Sequence, residues 1–183
     1  MTTPRHLIRF CRACGQPVEH RVPDDGDTRM RAVCPACHTI HYLNPLNVVG
    51  TIPVWQGKVL LCLRNIEPRR GKWTLPAGFM ELDETTAQGA ARETREEAGI
   101  EVALGPLFSI ISVPRVGQVH LFYQAAMHGP EVNPGPETQR AQLFAEDEIP
   151  WDELAFHTTR LTLQRFFADR QAGRFGLHDL VIE

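Results

Sequence analysis

The chain has 183 residues, of which 43% are hydrophobic and 22% charged, enough for one medium domain with a core and a small appendage. A net charge of −3 argues against a binder of nucleic acid or anionic membranes, because phosphate groups call for a basic surface. The sequence contains no apolar run long enough to cross a bilayer. Its first ten residues lack the apolar core of a signal peptide, so we expect a cytoplasmic protein.

Two cysteine pairs lie within the first 46 residues, which we predict to form a separate small domain. Each pair has the spacing Cys-x-x-Cys, and in a reducing compartment the duplication favours a structural zinc site whose four-thiolate shell leaves no position for catalysis. Redox chemistry is the rival interpretation, because a single Cys-x-x-Cys also serves in disulfide exchange. His38 and His41 follow the second pair, and either could replace a ligand. The predicted ligands are Cys11, Cys14, Cys34 and Cys37.

From residue 47 onward the composition becomes rich in strand formers, and we predict one α+β domain over residues 47–183. Two of its strands flank Gln56-Gly57, which predicts a hairpin, and Pro/Gly-rich loops are expected at 67–72 and 128–136. Cys62 lies in an apolar strand and is predicted to belong to the core. The predicted strands are residues 48–55, 58–64, 73–75, 107–113, 119–126 and 142–145.

Two helices are predicted. Residues 84–98 contain no proline and many good helix formers, and Gly99 follows as a C-cap. Residues 159–171 show the apolar spacing of a second, amphipathic helix.

The first predicted helix carries an unusual charge pattern. Glu93, Glu96 and Glu97 are spaced i, i+3, i+4 and share one face, where like charges repel by roughly 0.2–0.5 kcal/mol per pair. A solvated face balanced by Arg92 and Arg95 is one interpretation. A divalent cation is the other, because Mg²⁺ takes carboxylate oxygens as ligands. An alanine-rich stripe opposite lets the helix lie close to a neighbour and hold the carboxylates rigidly, which favours the metal site.

The same segment resembles the Nudix box, G-x5-E-x7-R-E-U-x-E-E-x-G-U. Gly78, Glu84 and residues 92–100 match it at every defining position except Thr94, where the family usually has an aliphatic residue. Threonine is similar in size to valine, so we expect a small packing change. The resemblance implies a Nudix α/β/α sandwich with a mixed sheet, preceded by a small zinc ribbon with four cysteine ligands.

The resemblance also implies Mg²⁺- or Mn²⁺-dependent hydrolysis of a diphosphate linkage. Glu96 and Glu97 would be metal ligands, Glu93 a ligand or the general base, and Arg92 would orient these carboxylates. The backbone carbonyl of Ala77 would be another ligand. A further carboxylate from a later loop is expected, with Glu137 as first choice ahead of Glu146 and Glu148.

The substrate is less well defined than the reaction. A zinc ribbon joined to a Nudix domain resembles the NADH pyrophosphatases, but residues 108–118 lack their downstream motif S-Q-P-W-P-F-P-x-S. Residues 41–45, 64–68 and 73–80 are closer to the zinc-ribbon Nudix group linked to ADP-ribose and FAD hydrolysis, so these two are the expected substrates. NADH, a nucleoside triphosphate and an RNA 5′ end are alternatives. The candidate substrate contacts are Arg64, Phe79 and Arg115.

A different functional class is a ligand sensor or nucleic-acid-binding module whose Nudix core binds without cutting. The retained carboxylates and the acidic net charge disfavour it. We therefore expect a small nucleotide derivative as partner rather than a membrane or a nucleic acid. The family resemblance is compatible with a homodimer.

Overall fold

The chain divides into two compact units between Asn44 and Pro45, two residues before the predicted boundary. A computed structural model describes residues 8–183, so residues 1–7 of the predicted ribbon lie outside the described part. Directly after each cysteine pair, Gly15 (φ 75°) and His38 (φ 61°) turn the chain in the left-handed region. The first unit is a three-stranded antiparallel sheet of Glu19–Arg21 (β1), Arg31–Val33 (β2) and Ile40–His41 (β3).

The second unit is built on an eight-stranded mixed sheet. Its elements are Leu46–Trp55 (β4), Lys58–Arg64 (β5), Trp73–Thr74 (β6), Ala77–Phe79 (β7), Thr86–Ala98 (α1), Val102–Val113 (β8), Gln118–Met127 (β9), Thr138–Phe144 (β10), His157–Ala172 (α2) and His178–Val181 (β11). The main path of the sheet runs β10-β5-β4-β9-β8-β11, with β6 pairing to β5 and β7 to β4. The pairs β4–β9 and β8–β11 are parallel and the others are antiparallel.

The two helices cover opposite faces of this sheet, as alternation along β4 shows. Thr51 on one face meets Thr94 of α1 through a 2.6 Å hydroxyl–hydroxyl contact. Ile52 on the other face joins the buried cluster that contains Leu163 and Phe166 of α2. The helix–sheet–helix sandwich and the mixed sheet confirm the predicted fold class.

Element boundaries differ from the prediction where local capping or non-local pairing decides them. Helix α1 begins at Thr86 rather than at residue 84, because Thr85 and Gln88 form a capping box. The strand predicted at 142–145 begins at Thr138, where it pairs with Arg64. Strands β7 and β11 were not predicted: each is short and exists through a partner far away in the sequence. Among residues 8–183, no helix has the length and apolar character needed to cross a membrane.

Candidate active site and zinc site

Strand β7 forms one wall of the candidate active site. The carbonyl of Pro76 and the N–H of Met80 bond to β4, and Gly78 pairs with Val49. In antiparallel pairing, alternate residues point their peptide groups away from the partner strand, so those of Ala77 and Phe79 face the outer edge. Within the described residues β7 pairs only with β4, which leaves these peptide groups available to the site.

The carboxylates of α1 meet this edge directly. Glu97 accepts a hydrogen bond from the Ala77 N–H at 3.0 Å and is buried. Glu93 lies so close to Gly78 that a Cβ there would come within 2.4 Å of its Oε2 atom. A side chain at residue 78 would therefore displace the Glu93 carboxylate from this position. Glu96 belongs to the same helix face but is exposed.

Arg92 connects the carboxylates to the preceding loop. Its guanidinium donates to Glu84 through Nε (3.0 Å) and Nη2 (2.8 Å), and Nη1 donates to Glu93 (2.7 Å) and Glu96 (3.0 Å). Nη2 also donates to the Phe79 carbonyl at 3.1 Å. The hydrogen bonds from Arg92 lower the pKa of Glu84 to about 2. Arg92 thus fixes the relative positions of three carboxylates and the end of β7.

Burial makes the negative charge of the Glu93 and Glu97 carboxylates unfavourable in the folded state. Burial raises the pKa of Glu97 to about 7, with the charges of Glu93 and Glu137 adding to the rise and Arg64 opposing it. Burial also raises the pKa of Glu93, against the lowering effect of Arg92. A site that gathers carboxylates and leaves them short of positive charge has the electrostatics of a cation site.

The loop before β10 brings Glu137 toward these carboxylates. Asn133 donates its N–H to the Ala98 carbonyl at 3.0 Å, and a Cβ on Gly135 would come within 2.1 Å of the Glu96 carbonyl oxygen. On its other side, the Glu137 carbonyl accepts the Asn65 N–H at 2.8 Å. Because its charge raises the pKa of both Glu93 and Glu97, the exposed Glu137 carboxylate belongs to the same electrostatic site.

The two weaker candidates for this extra carboxylate lie elsewhere. Glu146 bonds to Arg170 at 3.0 Å, and Glu148 bonds to Lys58 at 3.2 Å. Both are engaged in surface ion pairs on a 3-10 turn that follows β10. The structure does not bring them to α1.

The three predicted substrate contacts lie on different elements of the fold. Arg64 ends β5, donates from Nε to the Pro68 carbonyl at 2.9 Å, and stacks over Phe156 with its Cζ 5.0 Å from the ring centre. Phe79 ends β7 with an exposed side chain. Arg115 is exposed in the 3-10 turn between β8 and β9.

Thr94, the departure from the Nudix box, has a structural explanation. Its hydroxyl donates to the Ala90 carbonyl at 2.8 Å and contacts the Thr51 hydroxyl, and both threonines are fully buried. A buried hydroxyl without a partner would be unfavourable. The polar residue on α1 is therefore matched by a polar residue on β4.

The four cysteines of the ribbon form a compact sulfur cluster. All four Sγ atoms lie within 4.8 Å of one another, with Cys11–Cys37 at 3.6 Å and Cys14–Cys34 at 3.5 Å. A tetrahedral zinc site with Zn–S bonds of about 2.3 Å places sulfurs about 3.8 Å apart, so the cluster fits zinc. His41 is buried, and its Nε2 lies 3.4 Å from the Cys11 Sγ. His41 therefore lies beside the cluster and hydrogen-bonds to the Cys11 sulfur, and the proposed zinc ligands remain the four cysteines.

Comparison with family models decides the identity of both units. The model described as Nudix N-terminal, a zinc ribbon, matches residues 9–43, and the NUDIX domain model matches residues 45–166. The chain belongs to the Nudix family. The Nudix hydrolase from Nitrosomonas europaea is 47% identical in sequence, with a TM-score of 0.91 over 96% of this chain and 99% of that one.

Two other Nudix relatives have named activities. The NAD-capped RNA hydrolase NudC of Stutzerimonas stutzeri is 31% identical over 169 residues, which are 91% of this chain and 58% of that protein. The ADP-ribose pyrophosphatase of Methanocaldococcus jannaschii is 30% identical over 119 residues, 63% of this chain and 69% of that protein. This chain thus spans just over half of the NudC protein that it matches.

Two residues of this Nudix protein make contacts that the sequence did not predict. Glu84 was recognised as a position of the box but was given no role, although it receives two hydrogen bonds from Arg92. The fixed spacing from Glu84 to Arg92 carried that signal. The sequence offered His41 only as a possible replacement ligand; its contact with the Cys11 sulfur was not predicted, because that contact depends on how β3 pairs with β2.

Proposed function

We propose that the chain hydrolyses the diphosphate linkage of a nucleoside diphosphate–X substrate in the presence of Mg²⁺ or Mn²⁺. The observation that carries this proposal is the contact between Glu97 and the outward peptide group of Ala77. Because of this contact, the buried Glu97 carboxylate lies next to the edge of β7, where the Ala77 carbonyl is not used in strand pairing within the described residues.

The donor set suits a hard divalent cation. The carboxylates of Glu93, Glu96, Glu97 and Glu137 and the carbonyl of Ala77 are all oxygen ligands, which Mg²⁺ and Mn²⁺ prefer. Gly78 leaves the space that the Glu93 carboxylate occupies. When bound, the cation would neutralise the diphosphate and lower the pKa of a bound water.

We assign the other roles in the proposed hydrolysis to Glu93 and Arg92. We assign Glu93 as a metal ligand or the general base, because its carboxylate is buried and held at 2.7 Å by Arg92. Arg92 keeps Glu84, Glu93 and Glu96 in fixed relative positions before substrate arrives. Because Arg92 already holds these three carboxylates in place, they do not have to rearrange during the reaction.

ADP-ribose and FAD are the substrates expected from the sequence. The similarity to the Methanocaldococcus jannaschii ADP-ribose pyrophosphatase supports ADP-ribose. Phe79 offers an exposed ring for a base and Arg115 offers an exposed positive charge for phosphates, whereas Arg64 is buried and donates to the Pro68 carbonyl. All three stay proposals as substrate contacts.

NADH or the NAD cap of RNA is the other candidate, and the relatives that are similar over the larger share of this chain favour it. Its support is the similarity to NudC of Stutzerimonas stutzeri, which runs through both the ribbon and the Nudix domain. Against it stands the sequence of residues 108–118, which differs from the downstream motif of NADH pyrophosphatases. ADP-ribose, FAD, NADH and the NAD cap share an adenosine diphosphate group, so either candidate presents the same half to the site.

A substrate panel tests the proposal. The zinc-loaded protein is incubated with ADP-ribose, FAD, NADH, an NAD-capped RNA and nucleoside triphosphates, each with Mg²⁺ or Mn²⁺, and the phosphate-containing products are identified. AMP from the first three substrates is the expected product, with no turnover by Glu97→Gln. Absence of turnover across the panel would reject the enzyme and favour the ligand-sensor alternative.

A further inference from the structure

A tight turn before β10 carries Glu137. The Thr138 N–H donates to the Gly135 carbonyl at 3.1 Å, so residues 135–138 form a β-turn with Pro136 and Glu137 at its centre. Proline is favoured at the first central position, because its ring fixes φ at about −65°. The hydrogen bond of the turn uses neither of the two central carbonyls, so both can accept hydrogen bonds from another part of the chain.

One residue of the loop between β5 and β6, Asn65, binds both of these carbonyls. Its backbone N–H donates to the Glu137 carbonyl at 2.8 Å, and its side-chain Nδ2 donates to the Pro136 carbonyl at 2.9 Å. Arg70 donates to the Asn65 Oδ1 atom at 3.2 Å, which keeps the amide turned with Nδ2 toward the turn. Asn65 directly follows Arg64, the last residue of β5, so the turn is held from the end of a strand.

These two hydrogen bonds fix the peptide groups on either side of the Glu137 Cα atom. The Pro136 carbonyl belongs to the peptide group before Glu137, and the Glu137 carbonyl belongs to the peptide group after it. Because each peptide group is planar, holding both planes fixes the two backbone angles of Glu137. Those angles set the direction of its Cα–Cβ bond, and therefore the direction in which the carboxylate side chain leaves the backbone.

The same turn is also attached to the helix that carries the other carboxylates. A Cβ on Gly135 would come within 2.1 Å of the Glu96 carbonyl oxygen, and the Asn133 N–H donates to the Ala98 carbonyl at 3.0 Å. The Glu137 side chain itself is exposed. An exposed carboxylate loses conformational freedom when it binds a cation, and this loss weakens binding. A backbone that is already restricted reduces the loss.

We propose that Asn65 is a positioning residue for the metal site, which directs the Glu137 carboxylate toward the cation that Glu93 and Glu97 also bind. The inference rests on the proposed function, in which these carboxylates bind Mg²⁺ or Mn²⁺. Asn65 acts through the backbone of Glu137 and touches neither the cation nor the substrate. Loss of such an outer partner of a metal ligand typically weakens metal binding about 10- to 100-fold.

Mn²⁺ binding to the zinc-loaded protein, followed by the electron paramagnetic resonance of free Mn²⁺, tests this assignment without turnover. Asn65→Ala and Asn65→Leu both remove the side-chain donor, and we expect the Kd for Mn²⁺ to rise about tenfold, as in Glu137→Gln. Neither Asn65 variant changes a charge, so electrostatics cannot produce the rise. Leucine keeps the size of asparagine, and Asn65 is only partly buried, so the test does not depend on one variant folding.

A double variant and a matched control separate positioning from a general loosening of the loop. If Asn65 acts through Glu137, adding Asn65→Ala to Glu137→Gln should change the Kd by less than about twofold. Gln139→Ala is the control, because Gln139 Nε2 donates to the Arg64 carbonyl at 2.8 Å and so provides another neutral hydrogen bond between the same two segments. This bond does not involve the peptide groups beside Glu137, and its loss should leave the Kd unchanged.

A wild-type Kd in either Asn65 variant, an equal rise in Gln139→Ala, or losses that multiply in the double variant would overturn the role of Asn65. Wild-type Mn²⁺ affinity in Glu137→Gln would overturn it as well, even if turnover of the substrate panel upheld the proposed function. The expected pattern of Kd values in a protein that hydrolyses none of the panel would reject the proposed function and leave this inference standing.

Discussion

The carboxylate of Glu97 accepts a 3.0 Å hydrogen bond from the backbone N–H of Ala77, and this contact joins α1 to the edge of the sheet. The N–H and the carbonyl of Ala77 point to the same side of β7. Glu97 is thereby fixed next to a carbonyl oxygen that no strand uses within the described residues. A cation bound between the Glu97 carboxylate and the Ala77 carbonyl would have both ligands already in position in the folded chain.

Replacing Glu97 by glutamine should abolish metal-dependent hydrolysis while preserving the fold. The amide keeps the shape but removes a charge and an oxygen ligand, and we expect a loss on the order of 10²-fold or more in kcat/KM. Glu101→Gln is the control, since that exposed carboxylate contacts Arg95 at 3.7 Å, away from the site. Initial rates at saturating Mg²⁺ and circular dichroism spectra provide the measurement. Wild-type turnover in Glu97→Gln would remove this residue from the site.

Without divalent cation, the Nudix domain should lose stability as the pH rises toward 8. Burial raises the pKa of Glu97 from 4.5 to about 7, so the folded state holds a proton that the unfolded state has released. The resulting stabilisation is complete below about pH 4.5 and is lost as the pH passes 7, by up to about 3 kcal/mol. Urea unfolding between pH 5 and 8 measures it.

Two additions to that experiment identify the cause. Saturating Mg²⁺ should restore stability at pH 8, because the cation replaces the proton, and Glu97→Gln should flatten the profile. A wild-type profile that is equally steep with and without Mg²⁺ would assign the loss to another group.

The sequence predicts the carboxylates of the candidate active site better than it predicts the backbone elements around them. The spacing of Gly78, Glu84 and the carboxylates is local, and a helix converts it into a shared face. Strand β7 could not be predicted in the same way, since three residues after a proline become a strand only by pairing with Val48–Gly50 of β4. The proposed role of Ala77 as a metal ligand came from family resemblance, and the register of that pairing is compatible with it.

The same distinction applies to Thr94 and to Glu137. The family usually has an aliphatic residue where this chain has Thr94, and we expected only a small packing change. The structure explains the hydroxyl of Thr94, because folding brings the Thr51 hydroxyl opposite it. Glu137 could be proposed but not placed, because its position depends on Gly135 packing against the Glu96 carbonyl. A sequence motif identifies functional residues within one helix or loop. Which helices, strands and loops contact one another is decided by tertiary packing, which the motif does not contain.

The Thr51–Thr94 pair should show strong coupling in a double-mutant cycle. Thr94→Val leaves the buried Thr51 hydroxyl without its acceptor and should cost about 1–3 kcal/mol in unfolding free energy. Thr51→Val should cost less, because Thr94 still donates to the Ala90 carbonyl. The double variant should approach wild-type stability, a coupling of about 1 kcal/mol or more. Additive single effects would mean that the two hydroxyls do not interact.

Glu137 should matter most when metal is limiting. Its side chain is exposed and adds negative charge near Glu93 and Glu97, so Glu137→Gln should raise the Mg²⁺ concentration needed for half-maximal activity by about tenfold. Excess Mg²⁺ should recover most of the rate. Glu131→Gln, an exposed carboxylate of the same loop, is the control. Equal Mg²⁺ dependence in the two variants would exclude Glu137 from the metal site.

His41 should slow the release of zinc from the ribbon. Its Nε2 lies 3.4 Å from the Cys11 Sγ, and an N–H donor stabilises the thiolate that zinc requires. We expect His41→Leu to release zinc to a chromogenic chelator about 10–100 times faster than the wild-type protein. His41→Gln, which keeps an N–H donor, should recover part of the difference, and the exposed His20→Leu should match the wild type. Equal rates for His41→Leu and His20→Leu would show that the histidine only fills space beside the cluster.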